Sequence, residues 1–340
     1  MGIWYTTRED VILALNSTDN SINARKIDSA IESASRSVDK LTKRRFYPET
    51  KTKTFDYPQN SLSYRLWFDS PEELIEATSV TSGGSTITSQ EYFLEPVNYG
   101  PPFNRLELNL GTSASFDTQE TTQHQIQIAG VWGYQFETTA ATTLSGSINA
   151  SQTTAVVADV SDIGVGSLVQ IGTELVQVTD KAWTDSSQNA SALTASASSV
   201  SITGVTGINQ FETILIDSER MLVTDVAGTT ITVKRAVDGS TLAAHSLNAD
   251  IYVQRSLTIK RGVGGTTAAS HTSGDTVNLF VFPAPIVELT LAEAINTFKQ
   301  RGDAYSRTVG SGENQREATG RALSELRKAV KRDFGRVRIA

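Results

Sequence analysis

The chain has 340 residues and a formal net charge of −7 at pH 7, and its apolar fraction of 39% and charged fraction of 20% are those of an ordinary globular protein. It contains no cysteine, which excludes disulfides, thiolate metal sites and cysteine nucleophiles. No apolar run reaches about 18 residues, so we expect no membrane-spanning helix and no membrane partner.

The first 50 residues predict two helices. Thr6 and Glu9 fit a capping box that opens a short helix ending near residue 16. A longer helix follows, because apolar residues recur at steps of three to five and form one stripe. A basic run over residues 40–45 suits the end of this helix, and Pro48 stops it. The stripe consists of Ile22, Ile27, Ile31, Ala34, Val38 and Leu41.

Residues 52–134 predict a strand region instead. Alternating or β-rich runs are separated by turn residues, and the pair Gly83-Gly84 suits a tight hairpin turn. The expected strands cover residues 54–57, 65–68, 76–81, 91–94, 106–110 and 125–131.

Residues 141–282 contain two pairs of near-copies. Residues 171–180 (IGTELVQVTD) reappear at 216–225 (IDSERMLVTD) with an offset of 45 positions (216 − 171). Residues 234–245 (KRAVDGSTLAAH) reappear at 260–271 (KRGVGGTTAASH) with an offset of 26 (260 − 234). Because two modules in series would show one offset, the order predicts a β module that hosts a copy of itself.

We therefore expect an inserted all-β domain with two parts. The outer module comprises residues 141–182 plus 256–282, and the nested module comprises residues 190–255. Residues 183–190 are interpreted as a linker between them. The remaining residues, 1–140 and 283–340, would form a core in which the N- and C-terminal helices pack together while the insert projects from it.

The duplicated segments also carry the polar residues most open to a chemical interpretation. Glu174 and Glu219 are predicted to bind backbone amides or the arginine of their own module, Arg261 and Arg235 respectively. A carboxylate pair shared between the modules is the alternative. The repeated histidines, His245 and His271, are predicted to bind the turn backbone, and a joint metal site is the alternative.

The end of the chain predicts two helices and a basic tail. Pro283 precedes a helix over residues 287–301, and a last helix covers residues 314–334. The last 58 residues hold 11 basic and 7 acidic residues, a net charge of +4 on an otherwise acidic chain. A basic end predicts docking on an acidic surface, and a solvated helix face is the alternative.

With these segments in place, the chain resembles the head–tail adaptor (connector) proteins of long-tailed bacteriophages. The resemblance covers residues 1–140 and 283–340. It is carried by the helix start at residues 6–10 (TTRED), by the strand region and by the two C-terminal helices. Two motifs add to it, and their residues are Arg44, Arg45, Phe46, Tyr47 and Pro48 in the first and Gly130, Trp132 and Gly133 in the second.

The resemblance implies an α+β fold with a discontinuous helical core. It also implies a virion structural protein, made in the host cytoplasm, whose ring of about twelve copies sits in the neck between the portal and the stopper or tail-completion protein. Genomic DNA would pass through the ring without sequence-specific binding. The residues expected to dock on the portal are Arg327, Lys328, Lys331, Arg332, Arg336 and Arg338. Those expected in the helical core and subunit interface are Ile27, Ile31, Val38, Leu41, Ile295, Phe298, Leu323 and Leu326.

The resemblance does not extend to the insert, whose role stays open. Repeated β modules leave a second function in play, a tail-tip or capsid-surface protein that binds host glycans. No nucleophile elbow, phosphate-binding loop or metal-ligand spacing is present, so we expect no enzyme activity, no cofactor and no metal.

Overall fold

Strand is the most abundant regular secondary structure in this protein. In the computed structural model, 38% of the chain is strand and 21% is helical. The expected helical core is therefore wrong, and the description α+β holds only loosely, because large antiparallel sheets dominate. The structure describes residues 2–15, 24–59, 62–68, 71–119, 121–204, 207–302, 308–309, 316–317 and 321–336.

The described residues include four α-helices: α1 (Arg8–Leu15), α2 (Ala24–Thr42), α3 (Ala284–Gly302) and α4 (Arg321–Phe334). The capping box of α1 lies one residue later than predicted. Asp10 N donates to Thr7 Oγ1 at 3.1 Å, and Thr7 N donates to the Asp10 carboxylate at 3.0 Å. The stripe residue Ile22 lies outside the described residues. The last helix was predicted from residue 314, but it begins at Arg321, and Arg316–Glu317 form a short strand instead.

The strand region forms two sheets around one apolar core. The strands are β1 (Glu49–Phe55), β2 (Arg65–Trp67), β3 (Leu74–Ser82), β4 (Ser85–Ile87), β5 (Tyr92–Glu95), β6 (Arg105–Leu108) and β7 (Ile126–Trp132). A four-stranded sheet has the order β1-β7-β3-β4, and a three-stranded sheet has the order β2-β6-β5. The hairpin at Gly83-Gly84 is confirmed, since β3 pairs with β4 across it and both glycines have positive φ.

The insert is one continuous antiparallel sheet system. Its strands are β8 (Thr138–Thr143), β9 (Thr154–Val156), β10 (Leu168–Ile171), β11 (Glu174–Ala190), β12 (Ser199–Ser201), β13 (Thr213–Ile216), β14 (Glu219–Ala227), β15 (Thr230–Lys234), β16 (Ala249–Lys260) and β17 (Thr276–Phe280). A short pair, β18 (Thr308–Val309) with β19 (Arg316–Glu317), precedes α4.

Two apolar clusters divide the insert as the repeat offsets do. One draws on residues 144–178 and 257–277, and the other on residues 190–253. The strands β11 and β16 pair over nearly their whole length and run through both modules. Residues 183–190 are therefore strand, and their interpretation as a linker is wrong. Because these residues are mostly polar, the sequence pattern did not indicate that β11 continues through them from the outer into the nested module.

The outer module shares a core with the terminal helices. Its side chains Leu168, Leu175, Val263 and Phe280 pack in one buried cluster with residues from both ends of the chain. The residues from the ends are Ile3, Tyr5, Val38, Phe46, Tyr47, Ile286, Leu289 and Val330. The expectation that the insert projects on its own is wrong for this module. The boundaries at 140/141 and 282/283 stay a prediction.

Candidate functional site

Each module is built around one buried glutamate. Glu174 accepts hydrogen bonds from Arg261 Nε at 2.8 Å and Nη2 at 2.7 Å, from the backbone N–H groups of Gly262 and Ala269, and from His271 Nε2 at 2.9 Å. Its carboxylate is fully buried. The predicted pairing of Glu174 with Arg261 is confirmed.

The nested module repeats this cluster bond for bond. Glu219 accepts from Arg235 Nε and Nη2, both at 2.7 Å, from the N–H groups of Ala236 and Ala243, and from His245 Nε2 at 2.9 Å. Each carboxylate is satisfied within its own module, so the alternative of a shared catalytic pair is wrong. A carboxylate with five donors is a structural anchor rather than an acid or base.

The clusters hold both glutamates ionised. Burial raises the pKa of Glu174 and Glu219, but the hydrogen bonds from arginine, histidine and two backbone N–H groups outweigh it and lower each pKa to about 2. The clusters differ at the second histidine nitrogen. His245 Nδ1 lies 2.7 Å from an Asp217 carboxylate oxygen, and the equivalent residue of the outer module is Gly172. His271 Nδ1 instead lies 4.0 Å from an Asp275 carboxylate oxygen.

A third feature lies where the two ends of the chain meet, and we call it the terminal junction. Its centre is an aromatic cluster of Tyr5, Phe46, Tyr134 and Phe334, with ring centroids 5.2 to 5.9 Å apart where the rings meet. Tyr5 donates its hydroxyl hydrogen to Asp39 and accepts from Phe46 N at 3.2 Å. Burial raises the pKa of Tyr5 well above its usual value, and the Asp39 carboxylate raises it further.

Of the motif residues of the resemblance, Phe46, Tyr47 and Gly133 lie at this junction, whereas Trp132 packs in the core of the strand region. Gly130 and Gly133 allow close backbone approach, because a Cβ at Gly130 would overlap the carbonyl of Glu76 and one at Gly133 the carbonyl of Tyr47. Trp132 is fully buried. The motif arginines hold neighbouring acids: Arg44 lies 3.1 Å from Glu73, and Arg45 lies 2.6 Å from Glu72. Pro48 is also buried, and its carbonyl lies against Gly264 of the outer module.

A cavity of about 320 Å³ opens beside the junction, and we call it the basic cleft. It lies between the ends of α2 and α4, and its charged lining residues are all cationic: Lys40, Lys43, Lys331 and Arg336. From the sequence, Lys40 and Lys43 are expected only at the end of a helix. The signal that places them in a site is their meeting with α4, which the sequence pattern does not reveal.

The six predicted docking residues divide between the cleft and other surroundings. Lys331 and Arg336 line the cleft. Arg327 is held by Glu293 at 2.8 Å, Lys328 by Glu325 at 2.9 Å, and Arg332 by Asp333 at 2.7 Å. Arg338 lies outside the described residues.

The eight predicted core residues all pack inside the chain. Ile27, Ile31, Ile295 and Phe298 belong to the cluster of α1, α2 and α3. Val38, Leu41, Leu323 and Leu326 belong to the cluster that also contains the outer module. These side chains all make contacts within the chain, and Leu41, Ile295, Phe298, Leu323 and Leu326 are only partly buried. Their expected part in a subunit interface stays a prediction.

Comparisons with protein-family models, with curated proteins and with solved structures find no match to this chain. Among the described residues, no group of three or more acidic or histidine side chains is arranged to hold a metal ion. No described helix has both the length and the apolar character needed to cross a bilayer.

Proposed function

We propose that this protein is a structural component of a bacteriophage virion. In this proposal a ring of copies sits in the neck, joins the portal to the stopper or tail-completion protein, and surrounds the path of the genome. The proposal begins with the resemblance. The observation that carries it is the terminal junction, where Phe46, Gly133 and Phe334 bring the start, the middle and the end of the resembling segments into contact.

The chemistry of the buried polar groups supports a structural role. Both glutamate clusters are saturated within the subunit, which leaves their carboxylates no capacity to act on a substrate. The net charge of −7 also suits a protein that lets DNA slide, since an acidic body holds phosphates weakly.

The basic cleft is the docking site of the proposal. Four cations line it, and acidic side chains of a portal would be complementary to them in charge. The site differs from the basic tail expected from the sequence, because it combines the end of α2 with the end of α4. Arg336 N also donates to Thr42 O at 2.9 Å, which fixes the two helix ends together.

The test is co-sedimentation of the full chain with the portal protein of the same virus. A double variant, Lys40→Glu with Lys331→Glu, reverses two exposed charges of the cleft. A matched control, Arg220→Glu with Lys234→Glu, reverses two exposed charges of the nested module.

We expect the cleft variant to bind the portal at least tenfold more weakly at physiological salt, a change of about 1.4 kcal/mol or more. The control should bind as the unmodified chain does. If the unmodified chain does not bind a portal, or if both variants bind equally well, the proposal is wrong.

A further inference from the structure

The three-stranded sheet has one buried face and one open face. The buried face carries Leu66, Leu106 and Leu108, which belong to the core of the strand region. Register places two rows of residues on the other face. One row is Arg65, Glu107 and Phe93, and the other is Trp67, Arg105 and Glu95.

Two large aromatic side chains are exposed on this open face, and other exposed apolar residues lie in the segments that flank its strands in the sequence. Among the described residues, twelve large apolar side chains are exposed, and six of them lie between residues 62 and 110. Phe93 is 52% exposed and Trp67 38% on the face itself, and Tyr99 is 86% exposed in the loop after β5. The other three are Leu62, Val97 and Leu110, in the segments that flank the sheet. A patch of this kind on a folded protein marks an interaction surface.

The charges on the open face cancel one another. Arg65 lies 2.9 Å from Glu107, and Arg105 lies 2.6 Å from Glu107 and 3.8 Å from Glu95. Arg105 also stacks over the Trp67 ring at 5.0 Å. Two arginines and two glutamates give the face no net charge, whereas the chain as a whole carries −7.

This neutrality decides which partner fits. A strongly acidic or basic partner would find no opposite charge here. Two copies of an acidic chain repel one another in general, and they approach at the lowest electrostatic cost where the local charge is zero. Aromatic side chains and arginine are also the residues that dominate binding at interface centres.

We infer that the open face of the three-stranded sheet, with Trp67, Phe93 and Tyr99 as its anchors, is where a second copy of this chain docks. The inference deepens the proposed function and rests on it for the closed ring. It also offers a subunit contact besides the terminal helices, whose apolar faces pack within the chain.

The test is the self-association of the full chain, measured by analytical ultracentrifugation over a range of concentrations, both alone and on the portal. One double variant, Phe93→Thr with Tyr99→Ser, removes two anchors and keeps residues that strands and loops tolerate. The matched control, Phe211→Thr with Leu247→Ser, removes apolar side chains of similar exposure (63% and 66%) from the nested module. Circular dichroism and thermal unfolding establish that both variants are folded.

We expect the anchor variant to self-associate at least tenfold more weakly and the control to match the unmodified chain. An unmodified chain that stays monomeric both alone and on the portal overturns the inference. So does an anchor variant that assembles as well as the control, including one that has instead lost binding to a glycan or to another protein. Self-association through this face without portal binding would leave the inference standing and remove the proposed function.

Discussion

The outer and nested modules are built from the same parts but sit in different surroundings. In the outer module, the strand segment from Glu174 to Val178 is buried on both faces, because the terminal helices cover it. Its copy, from Glu219 to Val223, alternates between buried and more exposed side chains. The buried glutamate cluster is thus common to both modules, whereas the burial of the outer strand face depends on what packs against it.

The residue types at matching repeat positions differ in the same way as the burial of the two modules. Leu168, Leu175 and Phe280 of the outer module correspond, by the two repeat offsets, to Thr213, Arg220 and Gln254 of the nested one. Gly166 lies against Trp4, whereas its counterpart Phe211 is 63% exposed. At the first three positions apolar side chains thus occur where helices cover the module and polar ones where the face is open, and Phe211 is an exposed apolar exception.

The largest loss of stability should come from removing the buried glutamate of a module. Glu174→Ala leaves Arg261 buried without its carboxylate, which costs about 3 to 5 kcal/mol. We expect hydrogen exchange to rise in both the outer module and the terminal helices, because they share a core. Glu219→Ala should raise exchange in the nested module alone.

The exposed Glu325, which lies 2.9 Å from Lys328, provides the control for these substitutions. Glu325→Ala should change stability by less than about 0.5 kcal/mol. If Glu219→Ala also loosened the terminal helices, the two modules would not differ as described.

Lowering the pH should destabilise both modules, and over the same pH range. Each glutamate has its pKa lowered from 4.5 to about 2 in the folded chain. Its contribution is therefore complete above about pH 4.5 and is lost as the pH falls towards 2, by at most about 3 kcal/mol for each module. Urea unfolding between pH 5 and about pH 2 checks this, and stability that increases on acidification in this range would contradict it.

Exchanging one residue between the modules should have unequal effects. Leu175→Arg places a charge under the helices and should cost more than about 2 kcal/mol. The reverse change, Arg220→Leu, lies on an exposed position and should stay within about 0.5 kcal/mol. Urea unfolding of both variants measures the difference, and equal costs would show that the two faces are equally covered.

The smallest change in stability should come from replacing Asp217, whose carboxylate lies 2.7 Å from His245. Asp217→Gly removes the second carboxylate beside His245 and gives the nested module the glycine of the outer one. Asp217 is largely exposed and its φ of 53° suits glycine better, so we expect a change of less than about 1 kcal/mol. A loss of several kcal/mol in thermal unfolding would mean that the clusters are not equivalent.

Much of the structure of the insert could be predicted from the sequence, because the two copies of the repeat can be compared with each other. The two offsets indicated which arginine each glutamate binds, across 87 residues in the case of Glu174 and Arg261. The shared strands were missed, since the polar stretch before Ala190 lacks the apolar alternation of a strand.

The surroundings of the outer module were missed for a different reason. Leu175 and Gln177 look like ordinary strand residues, and nothing local shows that helices from both ends cover them. The contrast between Leu175 and Arg220 at matching repeat positions was the available signal. The basic cleft was missed similarly, because Lys40 and Lys331 meet only through tertiary packing.

The most direct test of this account is to excise the nested module. Ala182 and Ser256 are paired across β11 and β16, so an Asn-Gly turn between them can replace residues 183–255. We predict that the shortened chain keeps its helices and unfolds cooperatively, whereas deletion of residues 141–282 abolishes cooperative unfolding by circular dichroism. A shortened chain without a cooperative transition, or a folded one after the full deletion, would contradict the account.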